Sequence, residues 1–215
     1  MSTSILVTGD YACFTRPELS VERYTYDVIT PSAAVGLIEQ VYWKPAIRWV
    51  IDRIHVLKPI QYANITRNEV ATAGPYHGQI SATARRMQRS SVVLRDVAYV
   101  LELHGEETGR GDQADREKGV NIVSKHESCL RRRLERGQRF AQPYLGCREW
   151  SASVRLIERA PRSANVGERD LGLMLHTLDW GTGRRWFWRA IMRDGVIEVP
   201  PVNDAGVYEG GRAAA

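Results

Sequence analysis

An α+β fold is the class this sequence predicts, and three observations predict it. Apolar residues alternate with polar ones in several stretches, as in Ile47, Trp49 and Ile51 or Trp150, Ala152, Val154 and Leu156, which is the period of half-buried strands. Elsewhere they recur at helical spacing, as in Ala34, Val35, Leu37, Ile38 and Val41. The pair Asp194-Gly195 separates two apolar runs and reads as a two-residue hairpin turn.

The elements follow in order. Ile5-Leu6-Val7, running toward Phe14, reads as a first strand with Pro17 at its exit. Thr30-Pro31 reads as a helix start, a hydroxyl N-cap followed by proline at the first helical position. That helix runs until Pro45, and its last turn presents Tyr42, Trp43 and Lys44. The alternation of residues 47–51 resumes at Ile54 and Val56 one position out of phase, which predicts a strand with a bulge. Residues 61–91 are polar, contain Gly74-Pro75, Gly78, Arg85, Arg86 and Arg89, and read as an extended loop or exposed hairpin. Residues 92–103 are again strand-like, and the glycine-rich, charged residues 105–119 read as a flexible surface loop. Ser124-Lys125-His126-Glu127 fits a capping box that starts a helix running to Arg136, with Gly137 as its stop. Residues 150–156, 171–178 and 186–199 make a small antiparallel sheet, and the tail after Pro200-Pro201 is expected to be disordered. The order strand, helix, strand, insertion, strand, helix is similar to the ferredoxin-like arrangement also used by RNA-recognition modules, among other α+β topologies that share it.

At 215 residues the chain has room for a main domain and a small appendage. The expected division is 1–146 with an insertion at about 61–91, then 147–200, then the tail 201–215. With 43% hydrophobic and 26% charged residues the composition is that of a folded globular protein. No apolar run approaches the roughly 20 residues of a membrane span, and Met1-Ser2-Thr3-Ser4-Ile5 lacks the pattern of a secretory signal, so a cytoplasmic location is expected, with no membrane partner. Cys13, Cys129 and Cys147 suit neither a disulfide framework nor a zinc motif and are expected to be reduced, at least two of them buried. The net charge of +5 and a pI of about 9.3 are compatible with a polyanionic partner, because arginine's planar fork matches phosphate oxygens and stacks on bases.

Within that frame a few residues could carry chemistry. A capping box at Ser124 would place Lys125 and His126 in the first turn of a helix, where unpaired N–H groups attract phosphate. Metal-free RNA cleavage requires a base for the 2'-hydroxyl, an acid for the leaving 5'-oxygen and positive charge for the phosphorane. Histidine, titrating near about 6.5, can do either proton job, and lysine suits the charge role. The same periodicity puts His126 on the line Ile122, His126, Leu130, Leu134, so a buried core histidine is the competing reading, and Lys125 alone would be a solvated charge. Arg131, Arg132, Arg133, Arg136 and Arg139 crowd one helix and its exit, either as a phosphate-binding row or as a solvated face. Trp186 and Trp188 lie on a strand and read as core, with the neighbouring arginines outside. No phosphate-cradling glycine loop, His-Glu-x-x-His motif or clustered acidic pair is present, which disfavours a metal-dependent nuclease.

Several stretches together resemble one family, the Cas-five-d (type I-C Cas-five) proteins of CRISPR systems. They are Gly9-Asp10-Tyr11-Ala12-Cys13-Phe14-Thr15, Pro31-Ser32-Ala33-Ala34 through Tyr42-Trp43-Lys44-Pro45, and Ile51-Asp52-Arg53-Ile54 through Pro59-Ile60. Arg67-Asn68-Glu69, Lys125-His126 with the arginine run, Gly137-Gln138, the segment from Pro143-Tyr144-Leu145-Gly146 to Cys147-Arg148-Glu149-Trp150, and Asp170-Leu171-Gly172 continue the series, which spans roughly residues 5 to 200. Glu127-Ser128-Cys129 departs from the pattern, where more apolar residues are expected.

The resemblance implies a ferredoxin-like N-terminal domain with a thumb-like hairpin insertion, a small C-terminal antiparallel β-sheet domain, and metal-independent cleavage within the CRISPR repeat that leaves a 5' handle. It places the catalytic group on Tyr42, Lys125 and His126: His126 transfers the proton, Lys125 stabilises the phosphorane, and Tyr42 orients or deprotonates the 2'-hydroxyl. A tyrosine titrating near about 10 is scarcely ionised at neutral pH, which favours the orienting role. Lys44, Arg67, Arg85, Arg86, Arg131, Arg132, Arg133, Arg136, Arg139 and Arg148 are the expected RNA-binding cations. The implied partners are the repeat RNA, the backbone and large subunits of the type I-C complex, and duplex DNA, with no cofactor or metal. The alternatives are a non-catalytic cap that holds the 5' handle and a general duplex-DNA-binding subunit.

Overall fold

The computed structural model describes residues 3–19, 22–70, 86–179 and 181–210. Its frame is an antiparallel sheet whose strands begin with β1 (Thr3–Ala12), β2 (Ile47–Val56), β3 (Tyr62–Val70) and β4 (Arg86–Glu107). β5 (Ser153–Ile157), β6 (Glu168–Leu178), β7 (Arg185–Arg193), β8 (Val196–Glu198) and β9 (Val207–Gly210) complete it among the described residues. The path runs β5-β1-β4-β2-β8-β7-β6, with β3 paired to β4 and β9 to β7. Helices α1 (Pro31–Val41) and α3 (Ile122–Glu135) pack on it, and α2 (Gln113–Glu117) is a single short turn. Arg85 lies outside the described residues.

Local chemistry explains most elements. The Thr30 side chain accepts from the Ala33 N–H and Pro31 opens α1, as its residue types predict. Ala34, Leu37, Ile38 and Val41 are buried on one face of α1. In β2, Ile47, Trp49 and Ile51 are buried, the register then shifts across Asp52, and burial resumes at Ile54 and Val56, so the out-of-phase alternation is a bulge. Asp194 and Gly195 both have positive φ and turn β7 into β8 with Met192 opposite Ile197. Residues 62–70 and 86–94 pair throughout as the root of a hairpin.

Five expectations are corrected. α3 begins at Ile122, not after Ser124: the Asn121 side chain accepts from the Ser124 N–H at 2.9 Å, so Asn121 is the N-cap and Ser124 is the third helical residue. Glu127 accepts from the Gly105 N–H at 3.1 Å instead of closing a capping box. Lys125 and His126 therefore sit beyond the first turn, and the Lys125 N–H is already bonded to the Asn121 carbonyl. Residues 105–119 are not one loop, because β4 continues to Glu107 and α2 follows. β5 pairs with β1, not with the C-terminal strands, and β8 pairs with β2, so the strands among the described residues belong to one sheet. The tail carries β9, which pairs with β7. Of the cysteines, only Cys13 is buried; Cys129 and Cys147 are half-buried, and all three are free thiols.

The candidate active site

Three separate segments meet at the C-terminal end of α1. The helix closes at Tyr42, whose backbone turns extended while its N–H still donates to the Ile38 carbonyl. Trp49 on β2 donates from Nε1 to the Tyr42 carbonyl at 3.0 Å, which fixes the exit of the chain. Tyr42 is consequently 5% exposed, and its hydroxyl lies 2.7 Å from His126 Nδ1. His126 is 2% exposed on the line Ile122, His126, Leu130, Leu134, so the buried-face reading of that line and the meeting with Tyr42 both hold.

The loop between β4 and α3 supplies the other side. Asp112 Oδ2 lies 3.0 Å from His126 Nε2 and accepts from Lys125 Nζ at 2.6 Å, and Asp115 accepts from Lys125 as well. These bonds hold the Asp112 carboxyl below the usual range and push the Lys125 ammonium above its own, Asp112 first and Asp115 second. Burial pushes the Tyr42 hydroxyl up to about 12, so it is a neutral hydrogen-bonding group at neutral pH. From the second half of α3, Arg133 donates to the Val41 carbonyl at 3.0 Å and holds its guanidinium 5.1 Å from the centre of the Tyr42 ring.

Tyr42 also lines a cleft of 1340 Å³, together with Trp43, Lys44, Arg133, Phe140, Tyr144 and Arg148. Phe140 is 85% exposed and Trp43 56% exposed, although both are large aromatics. The segment that carries Phe140 is anchored: the Phe140 and Ala141 N–H groups both donate to the Gln40 carbonyl, and the Tyr144 N–H donates to Gln40 Oε1. Cleft walls of this kind combine cations for phosphates with flat faces for bases.

Tyr42, Lys125 and His126 are thus brought together. The expected RNA-binding cations are not. Lys44, Arg133 and Arg148 line the cleft. Arg132, Arg136 and Arg139 are exposed along α3 and its exit, with Arg131 partly covered beside them. Arg86 is exposed on the hairpin. Arg67 is engaged by Glu149 and donates to Ser91 Oγ at 3.1 Å. Sequence reasoning missed Asp112, Asp115 and Phe140. The two acids looked like ordinary solvated charges in a glycine-rich loop, whereas a lone phenylalanine in the polar run after Gly137 was a usable signal. Among the described residues no group of three or more His, Cys, Asp or Glu could hold a metal ion, and no helix is long and apolar enough to cross a membrane.

The class defined by these features is an antiparallel-sheet protein with a basic, aromatic-walled cleft lined by a tyrosine that is bonded to a buried histidine, which a half-buried aspartate meets from the other side. Its fold matches a solved structure described as a CRISPR-associated protein, with a TM-score of 0.70 at 24% identity over 97% of this chain and 96% of that one. It also matches that of a functionally uncharacterized protein from Streptococcus mutans, with a TM-score of 0.68 at 24% identity over 97% of each chain. A family model described as CRISPR-associated protein (Cas_Cas5) fits residues 4–200. A protein of Mannheimia succiniciproducens named CRISPR pre-crRNA endoribonuclease Cas5d is 42% identical over 91% of this chain and 93% of its own length. One of the same name from Thermus thermophilus is 35% identical over 91% and 90%. The chain belongs to the Cas5d family of CRISPR-associated proteins.

Proposed function

We propose that this chain is a metal-independent endoribonuclease that cuts CRISPR precursor RNA within the repeat, then keeps the 5' handle as a subunit of the type I-C interference complex in the cytoplasm. The observation that carries this reading is Tyr42, which lines the cleft and whose hydroxyl lies 2.7 Å from His126 Nδ1. Two relatives named pre-crRNA endoribonucleases support it.

The burial of His126 supports a relayed route. With 2% of its surface exposed, the imidazole reaches RNA through Tyr42 and not directly. The 2'-hydroxyl hands its proton to the Tyr42 oxygen as the Tyr42 proton passes to His126, and the 2'-oxygen attacks phosphorus. The bond to the 5'-oxygen breaks, that oxygen takes up a proton from solvent water, and a 2',3'-cyclic phosphate remains. Lys125 supplies positive charge for the phosphorane. Lys44, Arg133 and Arg148 meet the backbone phosphates, while Trp43 and Phe140 stack unpaired bases.

Residues of β1, α1, β2, β4, α3 and β5 form a ferredoxin-like unit in this proposal. The strand order β5-β1-β4-β2, antiparallel throughout, supports it, with β3 and the start of β4 as the hairpin insertion. The remaining strands then form a C-terminal extension of the same sheet, and backbone and large subunits are partners of the assembled complex.

A second reading, a non-catalytic cap on the handle, is favoured by one observation: both nitrogens of His126 are already engaged. Purified protein, with chelator present, is incubated with its own repeat RNA and with RNA carrying a 2'-deoxy nucleotide at the cut site. Cleavage that disappears with the deoxy substrate and with His126→Ala is the expected result. Tight binding of intact repeat without cleavage would leave the cap, and equal competition by unrelated duplex DNA would leave a general duplex binder.

A further inference from the structure

We infer that Asp112 is a positioning residue for this cleavage: its carboxylate fixes His126 in the tautomer protonated on Nε2, leaving Nδ1 bare to take the proton of Tyr42. The inference deepens the endoribonuclease reading and rests on it.

Asp112 stands at the N-cap of α2, where an aspartate ordinarily accepts an N–H of its own helix. It makes no such bond, and its backbone is left-handed, with φ of 49° and ψ of 29°, a conformation that residues with side chains seldom adopt. The carboxylate is aimed across the loop at α3 instead, where one oxygen, Oδ2, meets both Lys125 Nζ at 2.6 Å and His126 Nε2 at 3.0 Å.

The consequence for His126 follows from donor and acceptor counts. An ionised carboxylate only accepts, so the ring nitrogen facing it carries the hydrogen. A neutral imidazole has one such hydrogen, so Nδ1 is the acceptor and the Tyr42 hydroxyl donates to it across 2.7 Å. The chain hydroxyl, imidazole, carboxylate has the division of roles of the serine-protease triad: the carboxylate sets the tautomer, stabilises the imidazolium that forms, and is not itself protonated. The moving proton ends on Nδ1, and Asp112 keeps its charge throughout.

The test pairs a rate with a spectroscopic signature. Asp112→Gly suits the left-handed backbone and removes the carboxylate, so the fold is retained. Single-turnover cleavage of repeat RNA is expected to slow by about 10²–10⁴-fold, with RNA affinity within about threefold of wild type. Asp112→Asn keeps an acceptor oxygen without the charge and is expected to fall between the two. In protein labelled with ¹⁵N-histidine, the wild-type His126 signals, assigned by comparison with His126→Gln, are expected to report the Nε2–H form, which Asp112→Gly loses. Asp115→Asn, which touches only Lys125, is expected to leave that pattern in place. Wild-type speed in Asp112→Gly, or a wild-type His126 protonated on Nδ1, would overturn the inference. Should wild-type protein bind the repeat without cutting it, the endoribonuclease reading fails, and the ¹⁵N pattern still decides whether Asp112 sets the tautomer.

Discussion

Single residues at this site are defined by what covers them. Tyr42 and His126 are both buried, so removing the tyrosine hydroxyl strands His126 Nδ1 without a partner. Tyr42→Phe should lower cleavage by about 10²–10⁴-fold and cost about 1–3 kcal/mol of stability, read by single-turnover kinetics and thermal melts. Phe140 is the opposite case. At 85% exposure it contributes nothing to the core, and Phe140→Ala should leave the melting temperature unchanged while weakening single-stranded RNA binding by about 1–3 kcal/mol in an anisotropy titration. His126 was legible in the sequence as a member of a buried line, and Tyr42 as the end of a helix. Asp112 was not, because nothing in a polar loop marks which acid will be turned inward.

Among the elements, α3 bears most directly on the site. Its buried face follows from periodicity, and Leu130→Ala should cost about 2–5 kcal/mol, because the residue is fully enclosed against the sheet. Its start is a different matter. Two residues, Asn121 and Ser124, both have side chains suited to an N-cap, and the chain selects the earlier one. Asn121→Ala should therefore destabilise by about 1 kcal/mol and Ser124→Ala scarcely at all, in urea melts of the two variants. The displacement also moves Lys125 and His126 beyond the free N–H groups of the helix terminus.

For the whole molecule, pH and salt are the useful variables. His176 on β6 is held below its ordinary value of 6.5 by burial, which outweighs the opposing bond to the Pro200 carbonyl. The unfolded chain therefore takes up a proton there before the folded one does. The associated stability is complete above pH 6.5 and is lost as pH falls through the lower folded value. His176→Gln should flatten that part of the dependence in melts recorded between about pH 7.5 and 5. RNA binding by a chain of net charge +5 should weaken with added salt, the logarithm of the affinity falling against the logarithm of salt concentration with a slope of about 0.7 for each phosphate the protein neutralises on a single strand.

The sequence by itself determined the local elements: the Thr30-Pro31 helix start, the bulge of β2, the Asp194-Gly195 turn and the apolar line of α3. Each is written in residues within a few positions of one another, where backbone preference and side-chain period act directly. Its family motifs also named Tyr42, Lys125 and His126 as a group. Only the tertiary structure decided that a bond joins Tyr42 to His126, 84 positions apart, that Asp112 completes the chain, and that β5 and β8 extend the N-terminal sheet. A strand's pattern says which face it buries but not which edge it joins. A polar side chain's partner is settled by which groups are desolvated together when the sheet and helices close.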